Sequence, residues 1–192
     1  MKNILIFSAA LILSISIISC SKKDNTVTPS VPITKTKDIT VNFSSGAPFT
    51  FFSFKDTTVV ANSDSSSAKW DFALRLTTFL VNGNSSGPGS AGVIMKDGVF
   101  DNIIAAPATG YAYDTTSSQR AIKDGSWYDY NPATRSFVPK AGKVFIFRTA
   151  DGLHYTKMEL LSANYAPFTG MVPQQIIYKM RFTYQPDGTK NF

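Results

Sequence analysis

Few side chains in this 192-residue chain can do chemistry, and their scarcity narrows the possibilities. One cysteine is present, Cys20, and one histidine, His154. Cys20 follows Ile17-Ile18-Ser19, with an aliphatic residue three places before it and a small one directly before it. A basic start, Met1-Lys2-Asn3, leads into a nearly unbroken apolar run from Ile4 to Ile18. That run is shorter than the roughly 20 residues of a membrane span and has the length of a signal-peptide apolar region. The pattern is that of a bacterial lipoprotein signal. It predicts transfer of a diacylglycerol to the Cys20 sulfur and cleavage before it. With Cys20 acylated, no thiol remains for disulfides, thiolate zinc or nucleophilic catalysis.

His154 alone cannot build a multi-histidine metal site. It follows Asp151-Gly152 and is readable as a metal or heme ligand, or as a partly exposed histidine without a role. Methionine more often fills core gaps than binds metal. Met180 lies among Tyr178 and Phe182 and reads as core, whereas Met171, in Thr169-Gly170-Met171-Val172-Pro173, reads as a loop residue. Tyr128 and Tyr130 point the same way on one strand and could stack on a ring or simply pack. No two carboxylates stand at a catalytic spacing, and no nucleophile–base pair can be assembled, so an enzyme is not expected. Asn82-Gly83-Asn84-Ser85-Ser86-Gly87-Pro88-Gly89 lacks the Lys-Ser/Thr ending of a phosphate loop and reads as a turn-rich loop.

Fifteen Phe, eight Tyr and two Trp, with few helix-favouring stretches, point to a sheet protein. The net charge of +6 is scattered, which argues against nucleic acid as a partner. Residues 1–19 read as signal peptide, 20–37 as a polar, proline-containing tether, and 38–192 as one β domain. Trp70, Phe72, Leu74 and Leu76 alternate with Asp71, Ala73 and Arg75, predicting one strand with the first set facing inward. Val144-Phe145-Ile146-Phe147 predicts a strand buried on both faces. Asp151-Gly152 predicts a tight hairpin turn. Ile176, Tyr178, Met180, Phe182 and Tyr184 predict the inward row of the last strand. About eight strands with no helix predict an all-β fold: one antiparallel domain, a sandwich or a partly closed barrel.

Several ordered segments carry a family resemblance. They are Phe51-Phe52-Ser53-Phe54-Lys55, Trp70-Asp71-Phe72-Ala73-Leu74-Arg75, Val81-Asn82-Gly83 leading into Ser86-Gly87-Pro88-Gly89, and Trp127-Tyr128. Phe145-Ile146-Phe147-Arg148-Thr149-Ala150-Asp151-Gly152 and Tyr184-Gln185-Pro186-Asp187-Gly188 complete the set. Following a lipobox, they resemble the HmuY-like lipoproteins of Bacteroidota, which bind heme at the outer membrane. The resemblance implies an all-β fold, heme as ligand, and lipid anchoring at the outer membrane, on the cell surface or the periplasmic face. It also implies hand-over of heme to a TonB-dependent outer-membrane receptor.

In the founding member two histidines hold the iron, and some relatives use methionines. Here the corresponding stretches, Tyr111–Ser126 and Asn131–Pro139, contain neither residue type. The expected heme set is therefore Tyr128, Tyr130, Arg135, His154 and Met171. A phenolate, imidazole or thioether would be the axial donor, and Arg135 the partner of a propionate. The alternative is a non-heme binding or structural lipoprotein on the same scaffold.

Overall fold

A computed structural model of the chain describes residues 30–192. The signal segment and the lipid attachment expected at Cys20 lie outside the described residues. The structure is an antiparallel β domain of two main sheets, open rather than closed into a barrel. Among the described residues thirteen strands follow in order: β1 Ile33–Asn42, β2 Thr50–Ser53, β3 Thr58–Val60, β4 Phe72–Arg75, β5 Thr78–Val81, β6 Gly92–Asp97 and β7 Tyr128–Asn131. Then come β8 Ser136–Pro139, β9 Lys143–Arg148, β10 Tyr155–Tyr165, β11 Phe168–Thr169, β12 Val172–Pro173 and β13 Gln175–Gln185. Among the described residues only two short 3-10 turns interrupt them, at Asn62–Asp64 and Phe100–Asn102.

The larger sheet runs β1-β13-β10-β9-β6 and the smaller β3-β2-β4-β5. Two further hairpins, β7–β8 and β11–β12, stand apart from both. Between the sheets lies an aromatic core. Phe54 touches Phe72, Phe147 and Phe182 with ring centroids 5.1 to 5.4 Å apart. Tilted and edge-on rings at such distances add to the area they bury. The inward row of β13 is fully realised, with Ile176, Tyr178, Met180 and Phe182 wholly buried. Strand β9 is buried on both faces as its sequence requires. Phe145 and Phe147 join the main core, and Val144 and Ile146 pack under Phe100, Ile103 and Ala106 on the outer side.

Four local expectations need correction. Residues 33–37 are strand, not tether: Ile33 pairs with Tyr184 and Lys37 with Met180. Their Thr and Lys side chains are exposed because β1 is an edge strand, where charge deters pairing with other chains. Trp70 does not share the face of Phe72. It lies before β4 begins and packs with Phe51, Ala73 and Leu80 in a separate cluster. Leu76 leaves the strand at φ +50, forming the turn into β5, yet it still packs against the core that holds Phe72 and Leu74. Last, Asp151-Gly152 is not a two-residue turn. Arg148 pairs with Tyr155, so Thr149–His154 forms a longer loop. The Asp151 side chain organises that loop by accepting from the Leu153 amide at 2.9 Å and the Thr149 hydroxyl at 2.7 Å.

Candidate functional site

The long strands β10 and β13 give the molecule two ends. At one end β1 starts, β13 finishes and the Thr149–His154 loop turns. At the other, β10 delivers Tyr165 and the chain passes through a cis Ala166–Pro167 peptide into β11–β12. Strand rise puts these ends about 30 Å apart.

The β11–β12 end holds a cleft of about 480 Å³, within the size range of small-molecule sites. Phe43, Ala163, Tyr165, Phe168, Met171, Val172 and Pro173 supply its apolar lining, and Thr134, Arg135, Ser136 and Asn164 its polar part. Tyr165 fixes one wall. Its hydroxyl accepts from the Phe137 amide at 2.5 Å and donates to the Phe137 carbonyl at 3.1 Å, pinning the β7–β8 hairpin to the end of β10. Burial pushes the Tyr165 phenol above its ordinary pKa, so it stays protonated and suited to this role. Arg135 sits at φ +52 in the β7–β8 turn. Among the described residues it is the only charged side chain lining the cleft. Met171 stands at the tip of β11–β12 and is 97% exposed. Phe168 and Val172 beside it are also more than half exposed.

Of the five residues expected to form one site, Arg135 and Met171 come together. Tyr128 and Tyr130 lie on the hairpin that carries Arg135, but both rings pack on Phe137, at 5.0 and 5.2 Å. The Tyr128 hydroxyl donates to Asp124 at 2.9 Å, and burial raises its pKa, which disfavours a phenolate. Tyr130 is half exposed and lines no part of the cleft.

His154 is at the opposite end. Its Nδ1 lies 2.6 Å from the Asp151 carboxylate and its ring lies tilted against Tyr184, with centroids 5.7 Å apart. Burial alone would raise the Asp151 carboxyl. The Leu153 amide, the Thr149 hydroxyl and His154 outweigh it and hold that carboxyl below its ordinary pKa. Beside them, Asp71, on the strand face that the sequence pattern shares with Ala73 and Arg75, is buried. Its two oxygens accept from the Phe54 and Ala150 amides, each at 2.7 Å, joining the two sheets. Burial outweighs these hydrogen bonds and raises its pKa to about 6.

The glycine-rich loop serves packing. Asn82 is fully buried, donating to the Trp70 carbonyl at 2.6 Å and accepting from the Gly89 amide at 3.0 Å. A Cβ on Gly87 or Gly89 would collide with Asn82.

Sequence reasoning passed over Phe43, Tyr165 and Phe168 as cleft residues. The cluster Tyr165-Ala166-Pro167-Phe168, with aromatics on both sides of a proline in a turn segment, was the available signal.

No family model matches the chain, and no curated protein matches it. Among solved structures it is similar to apo PinO from Porphyromonas gingivitis, with a TM-score of 0.51 and 14% sequence identity. The likeness covers 80% of this chain and 98% of that one. At such identity it is a likeness of fold: a distant structural relationship to a β protein of comparable extent.

Proposed function

We propose that this chain is an outer-membrane lipoprotein that binds heme in the cleft between β7–β8 and β11–β12 and passes it to a TonB-dependent receptor. The observation that carries this reading is the cleft itself. An aromatic and aliphatic wall stands beside one unopposed cation, Arg135, and one exposed thioether, Met171. An amphipathic, flat, anionic ligand asks for that combination. Met171 would supply an axial sulfur, Arg135 would pair with a propionate, and Phe168 would cover the macrocycle. Heme, when bound, would supply the redox-active iron that is the cargo. The ordered HmuY-like segments and the distant fold likeness support the same reading. With acylation at Cys20, the tether enters at the start of β1, so the cleft would lie at the membrane-distal end, where a receptor can reach it.

One observation favours a second reading. The Tyr128 hydroxyl and the His154 ring are both engaged within the protein and Tyr130 lies outside the cleft, which leaves Met171 as the one expected donor that lines it. A cleft with so few donors also suits a metal-free amphipathic anion on the same scaffold.

Titration of the full chain with ferric and ferrous hemin separates these readings. Heme ligation predicts a shifted Soret band, stronger in the ferrous state because a thioether is a soft ligand. Met171→Ala should abolish the shift, Arg135→Ala should weaken binding, and His154→Ala should leave both intact. Equal affinity for hemin and metal-free protoporphyrin, with no Soret shift, would select the second reading. No binding of either would reject the cleft as a porphyrin site.

A further inference from the structure

A second cleft, of about 630 Å³, lies along the loop from Ala112 to Asp124 beside the start of β5. It has a different chemistry. The hydroxyls of Thr78, Thr115, Ser117 and Ser118 and the amide of Gln119 line it, with Ala112 and Ala121 as the only aliphatic residues. Its charges cancel. Arg120 lines the cleft, but its Nη1 lies 3.5 Å from the fully buried Asp114 carboxylate and donates to the Ser86 hydroxyl at 2.7 Å. Lys123 and Asp124 face the same cleft with opposite signs.

The loop is held in shape from beneath. Asp114 accepts from the Val81 amide at 3.0 Å and the Ala121 amide at 2.8 Å. Tyr113 adds a fixed aromatic ring at the edge. The ring lies against Gly92, where a Cβ would come within 2.9 Å of it, and its hydroxyl accepts from Arg148 Nη2 at 2.6 Å. A buried donor is left over as well: Arg120 Nε has no partner among the described residues. Such orphans are rare in folded chains and are commonly met by an ordered water.

We infer that this cleft binds a neutral saccharide. The Thr115 hydroxyl donates to the Gln119 amide oxygen at 2.8 Å and the Ser118 hydroxyl lies 3.1 Å from that of Thr116, and the remaining donors and acceptors of these groups can bond a polyol. Cancelled charges give no preference for an anion, and an aromatic ring at the rim suits the apolar face of a sugar. The inference shares no residue with the heme reading and does not depend on it.

The test is calorimetric titration of the full chain, held in a detergent without a sugar headgroup. Maltotriose, chitotriose and mannotriose serve as neutral probes, and trigalacturonate and inorganic phosphate as anionic ones. The expected result is saturable binding of at least one neutral trisaccharide and none of phosphate. Gln119→Ala should weaken that binding about tenfold, the equivalent of one hydrogen bond to an uncharged group. Ser117→Trp, at an exposed position, should fill the cleft and abolish it. Far-ultraviolet dichroism would confirm that both variants stay folded. Failure of all three neutral probes would overturn the inference. So would tighter binding of phosphate or trigalacturonate, or saccharide binding that neither substitution alters.

Discussion

The two ends of the sandwich treat their polar and apolar groups in opposite ways. Where β1 starts, Asp71, Asn82, Asp151 and His154 all have partners within the fold. Where β10 ends, Phe168, Met171 and Val172 are exposed and Arg135 faces an apolar cleft without a carboxylate in its lining. Residue types that promise chemistry in the sequence are thus used for architecture at the first end. Side chains that look unremarkable are left available at the second. Availability, more than residue type, marks the candidate site.

The contrast is sharpest where the structural end is broken. Trp70 is fully buried against Phe51, Ala73 and Leu80, and its indole donates to the Ser65 carbonyl at 2.9 Å. Trp70→Ala should destabilise the fold by about 3–5 kcal/mol, measured by chemical denaturation. A loss below 1 kcal/mol would show that this end is less committed to stability than its packing indicates.

Asp71 gives a pH-dependent version of the same test. Its folded pKa of about 6 lies above the ordinary 3.8, so the folded state holds the proton more tightly than the unfolded one. The favourable contribution is fully present below pH 4 and is lost as pH rises through about 6. Two pKa units correspond to about 3 kcal/mol. Asp71→Asn cannot titrate. The stability of the parent chain relative to Asp71→Asn should therefore fall between pH 4 and pH 7. A constant difference across that range would remove Asp71 as the titrating group.

At the other end the expected effect is smaller. Tyr165→Phe removes the hydroxyl that pins β8, at a cost of about 1 kcal/mol. The loss should be local, appearing as faster amide exchange at Phe137 while the core strands keep their protection. Global loosening would show that the hairpin is integral to the sandwich.

The sequence revealed the fold better than the site, for a physical reason. Period-two alternation reports burial directly, and the rows of β9 and β13 were legible residue by residue. Alternation failed at Trp70, which lies before the strand begins and packs in a separate cluster, so its face no longer follows position. The first half of edge strand β1, residues 33–37, was hidden because an exposed polar strand has a linker's composition. The cleft depends on which loops meet at the end of β10. Arg135 and Met171 are 36 positions apart in sequence, and only the pairing of β10 with β13 and the Tyr165 pin bring them together. His154 was placed with them on residue type alone, and strand direction sends it to the far end.

Met171→Ala should have the least effect on stability and the most specific effect on binding. The side chain is 97% exposed, so its removal opens no cavity and buries no polar group. Exposed substitutions of this kind usually change stability by less than about 0.5 kcal/mol. The thioether nevertheless stands over a cleft that contains no other sulfur. Unchanged denaturation together with a lost ferrous Soret shift would separate binding from folding at one residue. That outcome would establish the division between the two ends. A marked loss of stability would instead place Met171 in the packing of the hairpin, and the exposed end would need to be read as structure rather than as a site.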